Sequence, residues 1–207
     1  MTQKIRIVVA EDHLVARMGL TAIINMQRDM TVVAEATNGQ QAVELFKKHK
    51  PDVLVLDMRM PVMSGVEAAA AIRESFPGAR MIALSTYGGD EDVRCALAAG
   101  VKAYLTKDVL HDELVKTIRT VSQGDSYLPP SLAAMMAGQT AGSLLSAREV
   151  EVLELIARGL ANKQIAWRLN IAEATAKNHV KNVLGKLGVQ DRTQAATVAI
   201  QRGIIHL

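Results

Sequence analysis

The chain has 207 residues, 49% hydrophobic and 22% charged, with a formal net charge of +3, the balance of a globular protein with one large domain or two small ones. Aromatic residues make up only 3%, so the core is expected to be aliphatic. The single cysteine, Cys95, excludes an internal disulfide framework and fits a reducing cytoplasm. No apolar run reaches the roughly 18 residues of a membrane-spanning helix. Lys4 and Arg6 lead straight into an alternating strand rather than a signal peptide, so a cytoplasmic protein with no membrane partner is expected.

In chain order, IRIVVA (5–10) reads as a strand and VARMGLTAII (15–24) as a helix. TVVAEA (31–36) with QQAVELFKKH (40–49), VLVLD (53–57) with VEAAAAIRES (66–75), and RMIALS (80–85) with EDVRCALAAG (91–100) repeat the alternation. KAYLT (102–106) with HDELVKTIRTVSQG (111–124) completes five strand–helix pairs. Such a run predicts an α/β fold, a doubly wound parallel sheet with helices on both faces and strand order 2-1-3-4-5. After Gly124 the alternation stops. Residues 125–144 read as a linker: Pro129-Pro130 breaks regular structure, and SLAAMMAGQTAGS (131–143) carries no charge, with a short helix at 131–137. From Ser146 only helical periodicity remains. Ser146 with Glu149 forms an S-x-x-E capping box, and helices follow at about 162–169, 173–187 and 191–202. Residues 1–124 are thus a first domain and 145–207 an all-α, four-helix second domain. Charge divides the same way. Residues 144–207 hold nine Lys/Arg against five Asp/Glu, and 1–143 fifteen against sixteen. A basic second domain is suited to a polyanion.

In a parallel sheet ligands bind outside the carboxyl ends of the strands. Glu11 and Asp12 follow the first strand, Asp57 ends the third, Ser85 ends the fourth, and Lys107 follows the fifth. Three carboxylates, a hydroxyl and an ammonium therefore meet at one edge. Converging carboxylates need a cation, and their hard oxygens suit Mg²⁺. A carboxylate beside Mg²⁺ and a lysine can act as a nucleophile towards a phosphoryl group. Lys107 would then offset developing charge and Ser85 would donate to a phosphoryl oxygen. Asp57 is the expected phosphoacceptor. No P-loop and no dinucleotide glycine fingerprint is present, which argues against a nucleotide site.

The segments EDH (11–13), DMRMP (57–61), ALST (83–86) and KAYLTKD (102–108) resemble those of response-regulator receiver domains, which have a flavodoxin-like fold. The resemblance implies that a histidine kinase phosphorylates Asp57. It also implies that Asp12, Asp57 and the backbone carbonyl of Arg59 bind magnesium, with Glu11 acting through water. Ser85 and Tyr104 match the hydroxyl and aromatic switch positions, with the Tyr104 ring expected to turn from exposed to buried on phosphorylation. Glu11 stands where many members have Asp.

In ANKQIAWRLNIAEATAKNHVKNVLGKLG (161–188), Ile165, Ala166 and Leu169 form one apolar face, and Val180, Val183, Leu184 and Leu187 another. A tight helix pair of this kind reads as a helix-turn-helix, whose second helix enters the major groove. Opposite its apolar face lie Lys177, Asn178 and Lys181, side chains suited to base edges and phosphates. Residues 145–196 resemble the DNA-binding domain of LuxR-type regulators, and the two domains together resemble the NarL/FixJ class. That resemblance implies major-groove contacts at Lys177, Asn178 and Lys181, backbone contacts at Thr175 and Lys163, and a structural role for Glu149. Three positions depart from it, since Ala172, Ala174 and Ala176 stand where Ser, Lys and Val are frequent. Ala172 forgoes a helix cap, Ala174 a phosphate contact, and Ala176 core volume that Trp167 is expected to fill.

The sequence thus reads as a phosphorylation-switched transcription regulator that binds double-stranded DNA, forms a homodimer on phosphorylation, and has RNA polymerase as a further candidate partner. One alternative is a DNA-binding regulator whose receiver never uses phosphate; such receivers usually lack an acidic, hydroxyl or lysine position, and all are present here. An aspartyl-phosphate phosphohydrolase would place a second Asp two residues after the nucleophile, where this chain has Arg59, so no enzymatic activity is expected.

Overall fold

A computed structural model describes residues 4–86, 88–108, 111–137 and 145–205. The chain forms two compact units. The first contains the strands β1 (Ile5–Ala10), β2 (Met30–Ala36), β3 (Val53–Asp57), β4 (Met81–Ser85) and β5 (Ala103–Thr106). They alternate with the helices α1 (Leu14–Asn25), α2 (Gly39–His49), α3 (Gly65–Ser75), α4 (Asp90–Ala99) and α5 (His111–Ser122). All strand pairs are parallel, in the expected order β2-β1-β3-β4-β5.

Register explains the two-sided core. Ile7 lies beside Val53 and Val9 beside Val55, so one set of alternate residues faces α1 and α5. There it joins Ile24, Leu114, Val115, Ile118 and Val121. The intervening residues Val8, Leu54, Leu56, Met81 and Ala83 are also fully buried. Burial on both faces is why β3 reads as an unbroken run of branched apolar residues, VLVL. Gly65 opens α3 where nothing larger fits, because a Cβ there would come 2.1 Å from the backbone oxygen of Asp57. The end of β3 and the start of α3 are thereby held tightly together.

Part of the expected linker is structured. Tyr127 pairs with Ala103 as an isolated parallel bridge, its N–H donates to the Lys102 carbonyl, and its hydroxyl donates to Glu113 Oε1 at 3.0 Å. Helix α6 spans Pro130–Ala137, close to the short helix read at 131–137. Residues 138–144 of the expected linker lie outside the described residues.

The second unit contains α7 (Ala147–Ala157), α8 (Asn162–Leu169), α9 (Glu173–Leu187) and α10 (Arg192–Gln201). The Ser146 hydroxyl accepts from the Glu149 N–H, and Glu149 Oε2 accepts from the Ser146 N–H, which is the capping box the sequence carries. The core is made by Val152, Leu153, Ile165, Ala176, Val180, Val183, Ala195 and Ala199. No helix among the described residues is long and apolar enough to cross a membrane.

Candidate functional site

The carboxyl ends of β1, β3 and β5 bring the acidic residues and the lysine together. Glu11 is fully buried, Asp57 is 3% exposed and Ser85 1%. One potential ligand atom from each of Glu11, Asp12, His13 and Asp57 lies within 4.8 Å of the others. Lys107 joins two of them, its Nζ 2.7 Å from Glu11 Oε2 and 2.9 Å from Asp57 Oδ2. The Arg59 N–H donates to the other Asp57 oxygen at 3.1 Å. At the base of the site the Lys107 N–H donates to the Ser85 carbonyl at 2.7 Å, which fixes the lysine backbone against the end of β4.

The electrostatics follow from this crowding. Burial raises the Asp57 carboxyl above the usual range; hydrogen bonds from Lys107 and the Arg59 N–H oppose that rise, and the nearby Glu11 charge adds to it. For Lys107 burial disfavours the ammonium, but the Glu11 and Asp57 carboxylates outweigh it and hold the amine above its ordinary value. Three carboxylates thus face one ammonium, and the charge that remains is negative. Hard oxygen donors with surplus negative charge fit a divalent cation such as Mg²⁺.

His13 belongs to this cluster, although sequence reading gave it no role. Its ring Nδ1 lies 3.0 Å from Asp12 Oδ1 and 3.3 Å from Glu11 Oε1, and its backbone N–H donates to Glu11 Oε1 at 3.1 Å. The signal was its place directly after two site carboxylates at a strand end. Arg17 braces the same turn by donating to the Glu11 carbonyl at 2.7 Å.

Tyr104 holds the inward of the two positions expected of it. Its side chain is fully buried, on the face of β5 opposite Ala103 and Leu105, which are also fully buried. Both faces of β5 are covered, so all three residues are buried and the Tyr104 ring occupies interior volume.

In the second unit, α8 and α9 form the expected helix pair around a tight turn. Asn170 adopts a left-handed backbone, φ 51°, and the Ile171 N–H donates to the Ala166 carbonyl at 3.0 Å. Both ends of α8 are tied down by arginines. Arg192 donates to the Leu160 carbonyl and to Asn162 Oδ1, and Arg148 donates to the Leu169 carbonyl at 2.8 Å. Ala176, Val180 and Val183 of α9 are buried, while Thr175, Lys177, Asn178 and Lys181 are exposed, as is Lys163 on α8. Lys177 meets Glu173 one turn earlier at 3.0 Å, an exposed pair worth little to stability. The buried Glu149 carboxylate receives Lys186 Nζ at 2.7 Å, which ties α7 to α9.

Two expectations about the helix pair are settled differently. Ala172 occupies the cap position of α9 with no capping side chain, as its identity implies. Trp167, however, does not fill the volume beside Ala176. Ala176 is fully buried while Trp167 is 80% exposed. At about 100° per residue Trp167 projects away from the face made by Ile165, Ala166 and Leu169.

Comparison with known proteins agrees with both units. Residues 7–119 match the response regulator receiver domain family, and residues 143–199 the luxR family of bacterial regulatory proteins. The transcriptional regulatory protein LnrK of Bacillus subtilis is 37% identical, aligned over 97% of this chain and 98% of its own. The oxygen regulatory protein NreC of Staphylococcus carnosus is 35% identical over 97% and 99%. The crystal structure of ChrA, the response regulator of a heme-sensing two-component system, is 36% identical and covers 98% of this chain and 99% of its own, with a TM-score of 0.58. The chain therefore belongs to the two-component response regulators that join a receiver domain to a LuxR-type helix-turn-helix DNA-binding domain and regulate transcription.

Proposed function

We propose that Asp57 is the phosphoacceptor and that its phosphorylation by a histidine kinase controls dimerisation and DNA binding. On this reading residues 1–124 are the receiver, 125–144 the linker and 145–207 the DNA-binding domain. The observation that carries the proposal is the position of Asp57, buried at the end of the central strand and held by Lys107 at 2.9 Å within the acidic cluster.

One Asp57 oxygen forms a bond to phosphorus as the P–N bond of the donor's phosphohistidine breaks. The departing imidazole keeps the electron pair and takes a proton. Asp12, Asp57 and the Arg59 carbonyl would hold Mg²⁺, with Glu11 acting through water; the ion supplies charge neutralisation for the transferred group. Lys107 stabilises the same developing charge and keeps the acceptor ionised against its burial. The Ser85 hydroxyl donates to a phosphoryl oxygen and so draws the end of β4 towards the site. Ser85 and Tyr104 together form the switch: as the end of β4 moves towards the phosphoryl group, the Tyr104 ring packs inward behind it. The protein performs no catalytic turnover on a small substrate. In the second domain Lys177, Asn178 and Lys181 read the major groove while Thr175 and Lys163 touch the backbone. A homodimer would read half-sites about one helical turn, roughly 10–10.5 base pairs, apart, and RNA polymerase is a further partner of the DNA-bound form.

Incubation with acetyl phosphate and Mg²⁺, read by intact mass, tests this. The wild-type chain gains one phosphoryl group and Asp57→Asn gains none; a phosphorylated Asp57→Asn variant sinks the assignment.

A further inference from the structure

Trp167 is the only tryptophan in the chain, and it lies 80% exposed on α8. Among the described residues of the second unit no other large hydrophobic side chain is so exposed. It does not stand alone. Leu160, Lys163, Gln164, Trp167 and Arg168 line an open concavity of about 430 Å³, within the size range of ligand-binding clefts.

The chemistry of this lining is one-sided. Lys163 and Arg168 are cations that make no side-chain hydrogen bond or ion pair among the described residues. The Trp167 indole N–H is a donor only. The Gln164 carbonyl oxygen already accepts from the Ala161 N–H at 2.8 Å, which leaves its amide N–H groups. The polar atoms available are therefore donors, two of them charged, arranged around a large aromatic ring and Leu160. No acidic side chain lines the concavity. Its occupant must bring acceptors with negative charge and also an apolar group to cover the ring. Exposed Trp and Arg together are the composition of an interface anchor rather than of a solvated helix face.

We propose that this concavity on α8 is a docking surface for an acidic protein segment that carries an apolar side chain. Carboxylates of the segment pair with Lys163 and Arg168, and its apolar side chain packs on the Trp167 ring. A DNA backbone would supply acceptors and charge but, apart from the edges of its sugars, no apolar group large enough to cover the indole. Lys163 also carries a proposed backbone contact, so the docked segment would sit at the margin of the DNA. The inference needs only this helix and does not depend on Asp57 chemistry.

Because Trp167 is the sole tryptophan, its fluorescence reports the site directly in the full-length protein. Three probes are titrated: a short synthetic amphipathic peptide of Glu, Asp, Leu and Phe, the same peptide with Lys replacing the acidic residues, and a DNA duplex. The acidic peptide is expected to give a saturable blue shift and the Lys peptide none. Arg168→Glu, which introduces like-charge repulsion at an exposed position, should weaken acidic-peptide binding by about tenfold or more. Labelled acidic peptide followed by anisotropy should bind Trp167→Ala at least about tenfold more weakly than wild type. The proposal is overturned if the acidic peptide produces no saturable shift, or if the Lys peptide matches it. It is equally overturned if both variants bind normally, or if the duplex gives the same shift and displaces the peptide, which would make the surface part of the DNA interface.

Discussion

Lys107 contacts both Glu11 and Asp57, so it has two separable effects. It offsets repulsion between two buried carboxylates, and it is placed to meet charge on an incoming phosphoryl group. Lys107→Met keeps much of the side-chain volume and removes both effects. Phosphoryl uptake from acetyl phosphate should slow by roughly 10²-fold, the usual consequence of losing one aimed charge donor, with the fold retained by circular dichroism. An unchanged uptake rate would remove Lys107 from the site. Glu149 offers a residue-scale test of the second domain. Burial pushes its carboxyl up, but Lys186 and the Ser146 N–H and hydroxyl prevail and hold it below its ordinary value. A carboxyl depressed in the folded state adds stability above its unfolded value, and that stability fades as pH falls through the lower folded value. Glu149→Gln should therefore cost about 1–3 kcal/mol at neutral pH, discounted from a fully buried pair because Lys186 is partly exposed. In urea titrations the gap from wild type should narrow as the pH falls below the ordinary glutamate value and through the lower folded one. A gap independent of pH would show that the ion pair contributes nothing.

At the scale of elements, the α9 N-terminus lacks a side chain that accepts from its first free N–H groups. Ala172 already has the extended backbone of a cap, φ −65° and ψ 147°, so Ala172→Ser needs no rearrangement. It should stabilise the domain by about 0.5–2 kcal/mol, read as a raised melting temperature; a lowered one would mean the turn is not in cap geometry. The helices and strands themselves were legible because their signals are local: the alternating pattern of β1, the branched run of β3, and the S-x-x-E box for α7. Orientation about a helix axis was legible too where periodicity was followed, as for Val180 and Val183. The expectation that Trp167 fills the volume beside Ala176 runs against the angle set by Ile165, Ala166 and Leu169, and the angle prevails.

At the scale of the molecule, the acidic site joins residues up to 96 positions apart, from Glu11 to Lys107. No single segment encodes that convergence. It could still be read, because parallel strands all end on one edge. Side-chain state could not be read in the same way. The burial of Tyr104 depends on packing around β5, and the Glu149–Lys186 pair on how α7 meets α9, neither of which has a sequence period. The central claim is that a phosphoryl group on Asp57 governs DNA binding, and one titration addresses it. DNA selected by the full-length protein is titrated with wild type and with Asp57→Asn, each with and without beryllofluoride and Mg²⁺. Moving a two-state surface from 1:99 to 99:1 takes about 5.5 kcal/mol, and a small domain that supplies only part of this still gives a measurable change. Beryllofluoride should tighten binding of the wild type and favour its dimer, and should leave Asp57→Asn unaffected. Equal affinity of the wild type with and without beryllofluoride, or an equal response of Asp57→Asn, would contradict the account.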